Sequence, residues 1–169
     1  YQSLHGLQKT IVISQATKYI QPSLVDTGII FDQALVIFAS QSYGLFAMLN
    51  STIHSSWALE YQTSLGTTPY YIPTKAFLPF CFPQTLVTLD KIGKEYHEFR
   101  CQIMLSHMEG LTASYNRFHN PKEKSTDIAR LRELHVEMDN AVAAAYGWSD
   151  LDLGHGFHET PQGVRFTIS

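Results

Sequence analysis

Apolar and polar positions alternate along this chain in two different rhythms. Thr10-Ile11-Val12-Ile13 is a β-branched run, which suits a packed, pleated surface. Leu35-Val36-Ile37-Phe38-Ala39 is a second apolar run, short enough for a strand buried on both faces. Between them, Pro22 and the turn at Thr27-Gly28 lead into Ile29-Ile30-Phe31, which reads as a third strand. The three form a small mixed sheet. Leu45, Leu49, Ile53, Trp57 and Tyr61 then recur every four residues, the spacing of one helical face, with Ser42 as N-cap and Gly66 and Pro69 ending the pattern. Tyr70 to Pro73 reads as a short extended piece, and Pro79 and Pro83 bracket a turn.

From residue 85 the period becomes helical. Leu89, Ile92, Tyr96, Phe99 and Ile103 form one apolar stripe, running to about Met108, and Leu111 to Phe118 makes a shorter helix after Gly110. Ile128, Leu131, Leu134 or His135, Met138, Val142 and Ala145 mark a long amphipathic helix, capped within Ser125 to Asp127 and ended by Gly147. Val164 to Ile168 reads as a strand in a glycine-containing tail. The fold class is therefore α+β. Residues 1–84 form a small mixed sheet with a packed helix, 85–150 a helical subdomain, and 151–169 a tail.

Composition sharpens that division. The 169 residues are 44% hydrophobic and 16% charged, a globular balance with enough apolar surface for a core. Residues 1–89 carry only Lys9, Lys18, Lys75, Asp26, Asp32 and Glu60 as charged groups; all others lie beyond. The net charge of −3 argues against a nonspecific nucleic-acid coat. Two cysteines, Cys81 and Cys101, are too few for a disulfide framework and read as reduced and core-packed, which favours a cytoplasmic setting. No secretory signal or membrane-length apolar run is visible, and a start at Tyr1 reads as a fragment or processed product.

Catalytic signatures are missing. No Asn/Asp-Pro-Pro-aromatic tetrapeptide, glycine-rich cofactor loop, Walker-type lysine loop or Glu-x-Lys tripeptide occurs. His155-x-x-His158-Glu159 could serve as part of a zinc site, but a third ligand spacing is lacking and the expectation is no metal. His107, His119 and His135 read as surface or boundary residues. The polar loops of the first block are the candidates for binding. Ser14, Gln15, Thr17, Lys18, Tyr19 and Gln21 follow the first strand, and Ser64, Thr67, Thr68, Tyr70 and Lys75 follow the first helix. Glutamine pairs bidentately with adenine, lysine reaches guanine or phosphate, and hydroxyls adapt to either. Three readings remain open: these loops read DNA, the helical half is a protein-interaction module, or the tail histidines serve a metal-dependent hydrolase.

Ordered segments along nearly the whole chain favour the first. They include Thr27-Gly28-Ile29-Ile30-Phe31 with Ala34 to Phe38, Ser51-Thr52-Ile53-His54 with Trp57-Ala58, and Ser64-Leu65 up to Tyr70–Pro73. Phe77 to Pro83, Gly110-Leu111-Thr112, Tyr115-Asn116 with Phe118-His119, Ile128 to His135, Asp139 and Ala145-Tyr146-Gly147-Trp148 continue the set. In these the chain resembles the C-terminal target-recognition region of type IIG, MmeI-like restriction-modification DNA adenine methyltransferases of bacterial phage-defence systems. The resemblance implies double-stranded DNA as partner and an upstream domain that binds S-adenosylmethionine and methylates adenine, sometimes with an N-terminal nuclease. It also implies that this chain itself is non-catalytic and that its tail is truncated. No base-contacting residue carries over individually, since the loops are where such proteins differ.

Overall fold

A computed structural model describes residues 2–61, 63–65 and 68–169, with only the backbone described for 63–65. The first sheet is built around β1 (Lys9–Ser14), flanked by β2 (Ser23–Asp26) and β3 (Leu35–Phe38) in the order β2-β1-β3. Both pairings are antiparallel, so the small sheet has no parallel pair. The registers set Ile11 opposite Leu24 on one side and opposite Phe38 on the other. Thr10 to Ile13 are buried without alternation, so both faces of β1 are covered. The buried Thr10 hydroxyl is satisfied by donating to the Phe38 carbonyl at 2.7 Å.

The strand expected at Ile29 to Phe31 does not form. The second strand ends at Asp26, the Thr27 hydroxyl donates to the Leu7 carbonyl at 2.6 Å, and the chain turns outward with Ile30 91% exposed. Only Phe31 folds back into the interior.

The single expected helix is two. Ser42 caps α1 (Tyr43–Asn50) by accepting from the Leu45 N–H, as its sequence position predicts, but α1 stops at Ser51. There Ser51 is extended and donates its hydroxyl to the Met48 carbonyl, and α2 (Thr52–Tyr61) starts afresh. The break re-aims the apolar stripe. Phe46, Ala47, Met48 and Leu49 are fully buried, whereas Tyr61 is exposed. A hairpin of β4 (Thr63–Leu65) and β5 (Thr68–Tyr70) follows, then the short α3 (Pro73–Ala76).

The helical half consists of α4 (Asp90–His107), α5 (Leu111–Phe118) and α6 (Thr126–Ala145). The core runs continuously from the sheet through α1 into α4 and α6. Helices α1 and α4 meet at two glycines: a Cβ on Gly44 would stand 2.1 Å from the Leu86 carbonyl oxygen, and one on Gly93 2.1 Å from that of Tyr43. Asp90 accepts from the Gly44 N–H at 2.6 Å, placing a carboxylate at the positive end of α1. The tail is a hairpin of β6 (Gly156–Thr160) and β7 (Gly163–Thr167), of which the sequence indicated only the second strand.

Two further expectations are corrected. His135 is buried rather than at the surface, its ring held between Thr52 Oγ1 at 2.9 Å and the Tyr96 hydroxyl at 3.1 Å. Cys81 is exposed and Cys101 half-buried; both are free thiols, but neither is core-packed. Among the described residues no helix is long and apolar enough to cross a membrane.

Candidate functional site

The polar segment after β1 is fixed in place by backbone bonds to the segment after α2. Tyr71 donates its N–H to the Gln15 carbonyl at 2.7 Å, Thr17 donates to the Pro69 carbonyl at 3.2 Å, and Ala16 bridges Tyr70 in antiparallel fashion. Side chains reinforce the seam, since the Tyr70 hydroxyl donates to Gln15 Oε1 and Gln15 Nε2 donates to the Gln33 carbonyl. Two stretches far apart in sequence thus become one polar ledge.

The far end of the ledge is anchored from beneath. Arg100 on α4 is buried, yet it donates to the Pro22 carbonyl at 2.7 Å, to Asn50 Oδ1 at 2.9 Å and to the Tyr115 hydroxyl at 3.3 Å. A buried guanidinium is tolerable only with partners of this kind. Its effect is to pin the chain immediately after Gln21.

On this ledge Lys18 and Tyr19 both donate to Asn116 Oδ1, at 2.7 and 2.8 Å, which ties the loop to α5. The Tyr19 ring stacks on His119 with centroids 4.9 Å apart, and the cations of Lys18 and Arg165 stand 5.1 and 5.3 Å from its centroid. His119 Nδ1 accepts the Phe166 N–H at 3.2 Å, so the proton of its neutral ring sits on Nε2. Burial, followed by the neighbouring cations Arg165, Arg132 and Lys18 and by His135, pushes its pKa down to about 3, so the ring is uncharged at neutral pH. The tail hairpin is held against α5 and α6 by this bond and by Arg132, whose guanidinium lies 4.9 Å from the Phe157 centroid and donates to the carbonyls of Phe118 and Asn120.

Residues 18–21 of the ledge, α2, the end of α5, His135 midway along α6 and the tail hairpin border a half-open cavity of about 280 Å³. Lys18, Tyr19 and Gln21 line it, with Ser55 and Glu60 from α2 and Gln162 and Arg165 from the hairpin.

The fold of this chain is similar to part of a restriction-modification enzyme. The solved structure is that of MmeI, a type IIL enzyme in complex with DNA; the TM-score is 0.58 at 20% identity, over 84% of this chain. The chain spans about a fifth of that protein, 19% of its length. No protein-family model matches the sequence, and no curated protein matches it.

Of the candidates read from sequence, Lys18, Tyr19 and Gln21 come together at the cavity, and Gln15 and Tyr70 form the seam beside it. Ser14 lies at the exposed end of β1 with its hydroxyl on the Ala16 carbonyl, and Thr68 is exposed on β5. Lys75 is exposed on α3 and does not line the cavity. Thr67 and the side chain of Ser64 lie outside the described residues. Asn116, His119, Gln162 and Arg165 were not singled out as binding residues. A lone arginine in the tail strand was the one available signal, but nothing in sequence spacing joins it to Lys18. The tail histidines are engaged structurally: His155 Nε2 pairs with the buried Asp139 carboxylate at 3.0 Å, and His158 Nε2 bonds the Gly154 carbonyl at 2.9 Å. Among the described residues no group of three or more metal-ligating side chains is gathered.

Proposed function

We propose that this chain is the target-recognition part of a restriction-modification DNA adenine methyltransferase, aligning duplex DNA for a catalytic domain elsewhere in the polypeptide. The observation that carries the reading is the rigid polar ledge of residues 15–21 and 68–71, presented with Lys18 and Arg165 on a fold similar to part of a DNA-bound restriction-modification enzyme. Lysine and arginine position phosphates, while glutamine, serine and threonine read base edges. Immobilised loops suit this task, because direct readout demands side chains held in register with the groove.

Among the described residues, nothing in the turns that leave the first sheet at β1 and β3 resembles a cofactor loop. The turns leaving β1 and β3, Ser14-Gln15-Ala16 and Ala39-Ser40-Gln41, contain no glycine and lead into no dinucleotide-type phosphate loop. The cofactor and the methyl transfer belong in this reading to the upstream domain. Exposed apolar positions on the helix from Leu131 to Ala145 would favour the interaction-module alternative. Leu131, Leu134, Met138, Val142 and Ala143 are instead consumed in the core.

The test is to replace Lys18, Gln21, Thr68 and Lys75 in the full-length protein and to map methylated sites across a genome. A changed or lost target with folding intact is expected. An unchanged target sequence in all four variants overturns the reading.

A further inference from the structure

Two arginines of the helical half are surrounded by carboxylates. Arg117 contacts Glu109, Glu123 and Asp127, and Arg130 contacts Glu95, Glu133 and Glu137. The half-open cavity is different. Lys18 and Arg165 stand 5.1 and 5.3 Å from the centroid of one ring, that of Tyr19, so two positive charges from opposite ends of the chain are brought together. Among the described residues neither is ion-paired. Lys18 donates to the Asn116 amide oxygen at 2.7 Å and Arg165 to the carbonyl of its neighbour Val164 at 3.0 Å, both uncharged acceptors. Each keeps donors to spare, since an ammonium has three and a guanidinium five. At this spacing their repulsion is only partly screened by salt. Both line the cavity, where the single carboxylate is that of Glu60, exposed on α2. His119 in the same wall is uncharged at neutral pH. The lining therefore carries one positive charge in excess, within a chain whose net charge is −3.

We infer that Lys18 and Arg165 together hold one phosphodiester group of the DNA backbone. A diester carries a single negative charge and matches the excess, whereas a terminal phosphate carries nearly two at neutral pH. Arginine offers a planar fork to two phosphate oxygens and lysine a point charge, so the pair can grip one group without competing for the same geometry. The grip is set in advance, because Asn116 holds Lys18 and β7 carries Arg165 in register opposite His158, which lowers the ordering cost of binding. A phosphate contact carries no base information. This one therefore sets where the duplex rests on the ledge, and it makes the tail hairpin a DNA-contacting element. The inference deepens and rests on the DNA-recognition reading. A free inorganic anion shares the chemistry, and the experiment separates the two.

Binding of the full-length polypeptide to two duplexes of unrelated sequence is measured against salt for the wild type, Lys18→Gln, Arg165→Gln and the double variant. Each single variant is expected to weaken both duplexes alike, about fivefold or more, and to lower the salt slope by about one. Because one phosphate is shared, the double variant is expected to lose little beyond either single, in affinity and in slope. Additive losses with a slope lowered by about two put the cations on separate phosphates and overturn the inference. A variant that weakens one duplex alone marks a base contact and overturns it too. Arg165→Lys keeps the charge and is expected to keep the slope; a slope as low as that of Arg165→Gln, or an Arg165→Gln protein that fails to fold, assigns the side chain to packing and overturns the inference. Inorganic phosphate is expected to compete with duplex no better than chloride at equal ionic strength. Competition at submillimolar phosphate that Arg165→Gln abolishes gives the site to a free anion instead. Duplex bound equally by wild type and variants overturns this inference alone and leaves the DNA-recognition reading standing. Absence of duplex binding by the wild type overturns the two together.

Discussion

His54 shows how far one buried side chain reaches. It is fully buried on α2, with Nε2 3.0 Å from the Tyr71 hydroxyl and Nδ1 unpaired among the described residues. Burial pushes its pKa down to about 3. In the unfolded chain the same imidazole takes up a proton near pH 6.5. Between those values the unfolded state binds more protons, so this contribution to stability is complete above about pH 6.5 and drains away as pH falls toward 3. The limiting slope for one such group is about 1.4 kcal/mol per pH unit. Urea midpoints of the wild type are therefore expected to drop between pH 7.5 and 5.0, and His54→Gln is expected to show a shallower drop by about one proton. An identical slope in the variant would place the effect in other histidines. At this scale the sequence was least informative, because burial of a histidine depends on neighbours distant in the chain. His135 reads as a boundary residue by its helical position, yet Thr52 and Tyr96, which enclose it, come from two other helices distant in the sequence.

At the scale of elements, the contact of α1 with α4 is set by what is absent from two side chains. Neither glycine has room for a methyl group, and in each case the obstacle is a backbone carbonyl, which cannot swing aside. Gly93→Ala is expected to cost about 3 kcal/mol or more, read as a shift in the urea midpoint with an unchanged slope. A loss below about 1 kcal/mol would mean that the helices separate without penalty. Most helices were legible, because 3.6-residue periodicity is local: α5, α6, the Ser42 cap and the end of α6 at Gly147 all stand where the pattern puts them. The breaks were not. Leu45 to Tyr61 keeps an uninterrupted four-residue spacing, and the new helix begins where Ser51 is extended with its hydroxyl accepting the His54 N–H at 3.2 Å and where the Thr52 N–H reaches the buried Asp139 carboxylate at 2.7 Å. Likewise Ile29 to Phe31 has strand composition, but the chain turns outward after Asp26 with Ile29 and Ile30 exposed, and β propensity alone does not make a strand.

For the molecule as a whole, Arg100 joins the sheet side to the helical side through Pro22, Asn50 and Tyr115. Arg100→Met leaves the Pro22 carbonyl and Asn50 Oδ1 buried without this donor, while Tyr115 keeps its bond to Tyr96, with an expected loss of about 2–4 kcal/mol in chemical denaturation. Slowed hydrogen exchange at residues 15–21 in the wild type, lost in the variant, would register the loosened ledge; unaltered exchange there would refute the anchoring role. The net charge of −3 bears on DNA affinity. This 169-residue chain on its own is expected to bind duplex DNA only in the micromolar range or weaker at physiological salt, and Lys18→Ala is expected to lower the salt slope of the full-length protein by about one. A nanomolar, sequence-selective titration with the isolated chain would contradict the first. The candidate site was legible only by halves: the loop residues were, because turn-rich polar stretches announce themselves, while the tail hairpin that closes the cavity over them was not. The main-chain seam between Gln15 and Tyr71 and between Thr17 and Pro69 has a practical corollary for anyone wishing to graft these stretches between related folds. The stretches either side of it form one cassette, so transplanting a foreign sequence into 15–21 alone would pit new partners against old, whereas moving both stretches as a matched set carries the docking geometry along.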